Sequence, residues 1–309
     1  MKRTAALPGL GDLPWSSRAR RERHVHLLFL LPALTLLALI TVYPLFYGIV
    51  VSFTDLQLAR PRQALSFVGI AQYVEMARSA QFWTTVLNTL VFILGAVGAQ
   101  LVLGLVMALL LNRGLPGFAL VRTLLLLPMT VPTVVSSLAW YSMYNPTYGI
   151  INFVLAWVGV SGAPHWLADP RTAMLSVILV DLWQWTPFVM LLLLTALYTM
   201  PEEYAEAAAV EGAGALQTLR YVTLPFLRPF LGVVLLFRTI DAFKVFDKIY
   251  VLTGGGPGTA TETVNFFAYR QGFAFFNMGY ASAISVFILT TVVVLSAMII
   301  RSTQRLQET

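Results

Sequence analysis

Charged residues are absent from four long stretches of the chain: His24–Thr54, Ser79–Asn112, Thr123–Ala168 and Gln271–Ile300. A bilayer core ~30 Å thick is crossed by about 20 apolar helical residues, so stretches of this length predict membrane spans rather than buried soluble helices. The pattern predicts six spans: Leu27–Phe53, Trp83–Leu111, Thr123–Tyr144, Thr172–Leu197, Pro229–Leu252 and Ala281–Ile300. Thr123–Ala168 is too long for one helix. Asn145, Pro146, Gly149, Ser161, Gly162 and Pro164 break it and leave Ile150–Val160 as a short surface helix. Pro32 and Pro44, Pro128 and Pro132, and Pro187 interrupt spans one, three and four. Each removes a backbone hydrogen bond, which is tolerated in a membrane where neighbours or water satisfy the freed carbonyl.

Composition agrees. The chain is 58% hydrophobic and 11% charged, against roughly 25% charged residues in soluble domains. No cysteine occurs, which excludes disulfides and thiolate metal sites. The first 23 residues carry Lys2, Arg3, Arg18, Arg20, Arg21 and Arg23 and read as a solvated tail. The apolar run after them is too long for a cleaved signal and lacks a small-residue cleavage site. With the N-terminus inside, the tail, Asn112–Arg122, the loop after span four and the C-terminal end hold twelve Lys and Arg, and the opposite face holds five. That asymmetry places both termini in the cytoplasm.

The loop after span four is a polar island, Glu202–Pro229, with four glutamates in ten residues: Glu202, Glu203, Glu206 and Glu211. Pro201 suits a helix start, Glu202 and Glu203 suit its first turn, and Gly212 and Gly214 suit its end. Ala205, Ala208, Ala209 and Gly212 place small residues at helical spacing, so a second backbone can approach. An acidic helix with a small face, on the cytoplasmic side of a basic chain, reads as a docking helix. A plain hairpin with solvated glutamates is the alternative on spacing alone.

Span five carries Arg238, Asp241, Lys244, Asp247 and Lys248. A charge at bilayer centre costs ~2.5–3.5 kcal/mol on insertion scales, so this face points into the bundle or a wet cavity. Arg238, Asp241 and Lys244 are three apart and share one face, where they partly neutralise one another. A polar wall of a translocation path and an internal salt-bridge ladder both fit these charges. Trp140, Tyr144 and Asn145 in span three and Asp181, Trp183, Gln184 and Trp185 in span four suit the apolar faces and hydroxyl rims of sugars. Interfacial anchoring explains the aromatics equally well. No His-Glu-x-x-His or Gly-x-Ser-x-Gly pattern exists, and no Gly-Lys dipeptide follows the glycines of Gly254–Gly258. Hydrolytic chemistry and ATP binding by this subunit are therefore unsupported.

Glu206-Ala207-Ala208, then Gly212, Leu224-Pro225 and Pro229, resembles the EAA loop of permease subunits of binding-protein-dependent ABC importers. Glu211 fills the acidic position before the glycine; Leu219 and Val222 replace the usual aromatic and isoleucine. Leu126–Asn152, Phe246–Thr263 and Met278–Ser285 resemble the maltose/glycerol-3-phosphate type of sugar permease, and the TGGGP run resembles its maltose-F-like member. The likeness covers Leu27 to Arg301.

The resemblance implies an all-α, six-span type I ABC importer permease: a cytoplasmic basic tail at 1–26, a permease domain at 27–301 with its coupling loop at 198–229, and a cytoplasmic tail at 302–309. It implies coupling to a cytoplasmic ATPase through Glu206, Ala207, Ala208, Glu211, Gly212, Leu224 and Pro225. It also implies a substrate path at Trp140, Tyr144, Asn145, Asp181, Trp183, Gln184, Trp185, Arg238, Asp241 and Lys244. The implied partners are a second, maltose-G-like permease, two ATPase subunits that hydrolyse ATP, an extracytoplasmic binding protein, a sugar or polyol phosphate and the bilayer of a bacterial or archaeal cell membrane. No cofactor on this subunit and no nucleic acid are expected. The long outside loops, with an adaptable turn at Gly254–Gly258, are expected to meet the binding protein. Three alternatives stay open: a permease for a solute such as a polyamine, an intramembrane enzyme using Asp181 or Asp241 as acid or base, and a membrane scaffold.

Overall fold

The computed structural model describes residues 30–59, 66–114, 116–160, 162 and 164–308, without the side chains of 305–308. The basic tail expected at 1–26 lies outside the described residues. Helix α1 (Leu30–Val51) is followed by α2 (Ala71–Arg78), α3 (Ala80–Leu111), α4 (Phe118–Thr130), α5 (Thr133–Met143) and α6 (Ile150–Trp157). Then come α7 (Pro170–Tyr198), α8 (Glu202–Val210), α9 (Ala215–Phe243), α10 (Asp247–Leu252), α11 (Val264–Tyr269) and α12 (Met278–Glu308). Two isolated β-bridges, Thr54 with Phe67 and Gln57 with Asn277, are the extended pairings among the described residues. Five helices are long and apolar enough to cross a membrane, and α4 with α5 make a sixth crossing if the bent pair is one span.

Proline shapes two of the long helices. A five-residue wide turn at Ala38–Val42 ends two residues before Pro44, and another at Leu219–Thr223 ends two residues before Pro225. A proline ring crowds the carbonyl four residues back and offers it no N–H. Those carbonyls, on Ile40 and Tyr221, lie inside the widened turns, where bonds run five residues back, as from Leu224 N–H to Leu219 O. The helix therefore continues through each proline instead of ending at it.

Helices α3 and α7 form the most extensive pair. Gly104 permits it: a Cβ there would stand 2.6 Å from Val189 Cγ1 on α7. One apolar core gathers Phe92, Val177, Phe243, Ile249, Phe267 and Ile284, and a second gathers Ala108, Val189, Leu193, Leu227 and Val234. Helix α7 starts where Asp169 accepts a hydrogen bond from the Arg171 N–H beside Pro170, and it passes through Pro187 without ending.

The third expected span is interrupted at its proline: α4 and α5 meet at 97° across Val131 and Pro132. One expected span is corrected. The fifth does not run Pro229–Leu252. It begins at Ala215, passes Pro225 and Pro229, and stops at Phe243, with Lys244 as its cap. Val245 and Phe246 lie outside any helix and separate it from α10.

The Gly254–Gly258 segment forms a turn that needs its glycines. Gly254, Gly255 and Gly258 hold φ of 57°, 86° and 61°, a left-handed backbone that favours glycine. Hydrogen bonds tie this turn to its surroundings. Thr261 Oγ1 bonds the Gly256 carbonyl at 2.7 Å, and Asn88 of α3 donates to the carbonyls of Thr259 and Glu262. The fully buried Glu262 pairs with Arg270 at 2.6 Å and accepts from Gln81 at 3.0 Å.

Candidate functional site

The break after α9 has a consequence for charge. On a continuous helix Lys248 would lie ten residues beyond Arg238, about 15 Å along the axis. Because the helix breaks at Lys244–Phe246, both cations reach one carboxylate on α7. Asp181 Oδ2 accepts from Arg238 Nη2 at 2.9 Å, and Oδ1 accepts from Lys248 Nζ at 2.5 Å. Gln100 of α3 fixes the arrangement from both ends of its amide. Its Nε2 donates to Asp181 Oδ2 at 2.8 Å, and its Oε1 accepts from Arg238 Nε at 2.9 Å. Arg238 gives its remaining arm to Asp241 Oδ2 at 2.5 Å. The Trp185 ring lies 4.9 Å from the Arg238 guanidinium and 6.0 Å from the Lys248 ammonium, within cation–π range.

Two carboxylates and two cations balance, so the four-residue cluster carries no net charge. Asp181, Arg238, Lys248 and Gln100 are all buried. A buried pair of this kind needs its remaining donors and acceptors satisfied to offset desolvation, and Gln100 does that. Asp241 differs: half its side chain is exposed. It opens, with Asp181, Trp185, Lys244, Asp247 and Lys248, onto a cavity of about 210 Å³ whose far wall includes Thr133 at the start of α5. Lys244 is exposed at the end of α9 and does not continue the Arg238–Asp241 ladder, since the helix ends there. Asp181 has both oxygens committed to cations and an amide.

The other residues singled out from sequence lie elsewhere. Gln184 is buried at the α4–α5 bend, where its Nε2 donates to the otherwise unpaired Val131 carbonyl at 2.8 Å. Trp140 stacks obliquely on Tyr144 and edge-on against Trp183. Tyr144 donates to the Ser176 carbonyl at 3.1 Å, and Asn145 accepts from the Thr147 and Tyr148 N–H groups. Tyr144 and Asn145 line a separate cavity of about 270 Å³ with His165 and Trp166. Sequence reading left out Gln100 and Lys248 from the site. Lys248 could have been found, since an intramembrane cation demands an anionic partner. Gln100, one amide in an apolar run, gave no such signal.

The acidic loop forms α8, nine residues long, with Glu202 and Glu203 in its first turn. Gly212 follows with φ of 75°, and Ala213 N–H returns to the Ala208 carbonyl at 2.9 Å, closing the helix end. Glu206, Ala207, Glu211 and Gly212 are exposed, whereas Ala208 is buried. Ala207, Ala208, Glu211 and Gly212 border an open groove of about 790 Å³, completed by Tyr204, Ala213, Gln217, Tyr221, Val222 and Phe226. Leu224 and Pro225 begin the regular part of α9 just beyond the widened turn and do not line the groove.

Residues 100–307 match the family described as binding-protein-dependent transport system inner membrane component. The chain is 38% identical to the trehalose/maltose transport system permease protein MalF of Thermococcus litoralis over 281 residues, 91% of this chain and 93% of that protein. It is also 38% identical to the trehalose transport system permease protein SugA of Mycobacterium tuberculosis, covering 91% of this chain and 89% of the relative. Its fold is similar to a chain in the crystal structure of a bacterial alginate ABC transporter in complex with an alginate pentasaccharide-bound periplasmic protein. The TM-score is 0.81 at 22% identity, covering 96% of this chain and 99% of that one. Matches of this extent, on a chain of membrane-length helices, make it a multi-pass transport component rather than an enzyme: it belongs to the inner membrane permeases of binding-protein-dependent transport systems.

Proposed function

We propose that this chain forms half of the path by which a carbohydrate enters the cell, in an importer driven by ATP hydrolysis on partner subunits. The observation that carries the coupling is α8: a short acidic helix, held at its end by Gly212 and bordered by a groove on its small-residue side. In this reading a basic cleft of an ATPase subunit receives Glu206 and Glu211. Ala207, Ala208 and Gly212 admit its backbone, and Leu224 and Pro225 start the rigid helix that carries movement toward the site. The working assembly has a second permease, two ATPase subunits and an extracytoplasmic binding protein, with both termini of this chain in the cytoplasm.

The carbohydrate part rests on relatives named for trehalose and maltose transport, together with the cavity at Asp181, Trp185, Asp241 and Lys244. Asp241, half exposed beside an aromatic ring, suits hydroxyl recognition. Arg238 acts behind it by holding Asp241 and Asp181. Substrate-stimulated ATP hydrolysis and uptake by the reconstituted complex, with Glu206→Ala and Gly212→Leu, test the coupling. Assembly should survive while both activities collapse. Normal uptake in both variants would reduce α8 to a connector.

A further inference from the structure

The charged cavity has a neighbour that shares one of its walls. A chamber of about 370 Å³ opens between the loop after α9, α11 with the wide turn that follows it, and α12. Phe246 lines both this chamber and the cavity at Asp181. Three rings are arrayed in series: Phe246 and Tyr269 meet edge-on with centroids 4.9 Å apart, and Tyr269 and Phe273 stack at 5.3 Å.

Polar groups complete the lining. Asn265 donates through Nδ2 to the Lys244 carbonyl at 2.8 Å, which leaves its Oδ1 as an acceptor. Ser285 donates to the Ala281 carbonyl at 2.9 Å and keeps its lone pairs, and Ser282 stands one helical turn before it. No charged side chain lines the chamber. Ring faces beside an amide oxygen and two hydroxyls match a pyranose, which has an apolar C–H face and a polar rim. A lipid chain would offer no donor to the Asn265 Oδ1 acceptor.

We propose that this chamber is a second carbohydrate subsite, where a neutral pyranose ring rests on Phe246, Tyr269 and Phe273 before passing to the cavity at Asp181. The proposal rests on the carbohydrate-import reading and adds a location and a preference for neutral sugars. Phe273 suits the test because it is 63% exposed, so its replacement leaves the core intact.

The complete complex is reconstituted with its binding protein, and uptake of radiolabelled trehalose is compared for wild type, Phe273→Leu and Phe273→Tyr. Leucine keeps the apolar bulk and removes the π face; tyrosine keeps both. Uptake should fall about fivefold in Phe273→Leu and stay within about twofold in Phe273→Tyr, the scale of one aromatic contact. Binding-protein-stimulated ATP hydrolysis should be unchanged in both. Equal uptake in all three proteins would overturn the subsite and assign the chamber to lipid or a partner helix. Equal losses in both variants, or a parallel loss of ATP hydrolysis, would overturn it as well. A wild-type complex that takes up none of a panel of neutral sugars while its ATPase responds to the binding protein would sink the carbohydrate reading itself, and the subsite with it.

Discussion

Replacing Asp181 by asparagine removes the one charge that Arg238 and Lys248 share, in a pocket where all three side chains are at most 3% exposed. The change is isosteric, so packing is preserved and electrostatics dominates. Arg238 retains Asp241, but Lys248 loses its carboxylate. Stranding a buried cation in this way costs ~3–5 kcal/mol. Asp241→Asn removes an ion pair whose carboxylate is 51% exposed, and water screening limits that loss to ~1 kcal/mol. Thermal unfolding of the detergent-solubilised protein, followed by tryptophan fluorescence, separates the two. At about 2–4 °C per kcal/mol, Asp181→Asn should lower Tm by about 10 °C and Asp241→Asn by about 3 °C. Adding Lys248→Met to Asp181→Asn should recover most of the loss, because the remaining charges, Arg238 and Asp241, are matched. Equal shifts for the two aspartates, or a double variant less stable than Asp181→Asn alone, would refute the shared-carboxylate account.

Two further outcomes test the packing and the glycine loop. Gly104→Ala should lose about 1–3 kcal/mol through overpacking, since its Cβ would meet Val189 Cγ1 at 2.6 Å; Gly98→Ala, with no atom within 4 Å, should gain up to about 1 kcal/mol of helix propensity. Comparative urea or thermal denaturation checks the opposite signs. Glu262→Gln should release Arg270 and speed amide hydrogen exchange across Thr253–Thr263; protection equal to wild type would show that the Asn88 contacts hold the loop alone.

Much of the fold was legible in the chain because membrane burial is a local demand. A run such as Ser79–Asn112 has to be helical in lipid, and it forms α3 nearly as read. Glu202–Val210 and its glycine end were legible for the same reason, since a cap depends on residues a few positions apart. The breaks were not. Pro132 and Pro225 look alike in sequence, yet the chain bends by 97° at one and continues as helix through the other. At the bend, Gln184 from a different helix satisfies the freed Val131 carbonyl. At α9, the widened turn before Pro225 relieves the crowding.

The charges divide the same way. Sequence alone determined that Arg238, Asp241 and Lys248 had to face protein or water, because lipid solvates no ion. Only the tertiary structure decided that Lys248 reaches Asp181, that Gln100 bridges Arg238 and Asp181, and that Lys244 stands apart. Those pairings join residues 57 to 138 positions apart. Distance of that kind is set by how α3, α7 and α9 pack, and hydropathy along a chain carries no record of it.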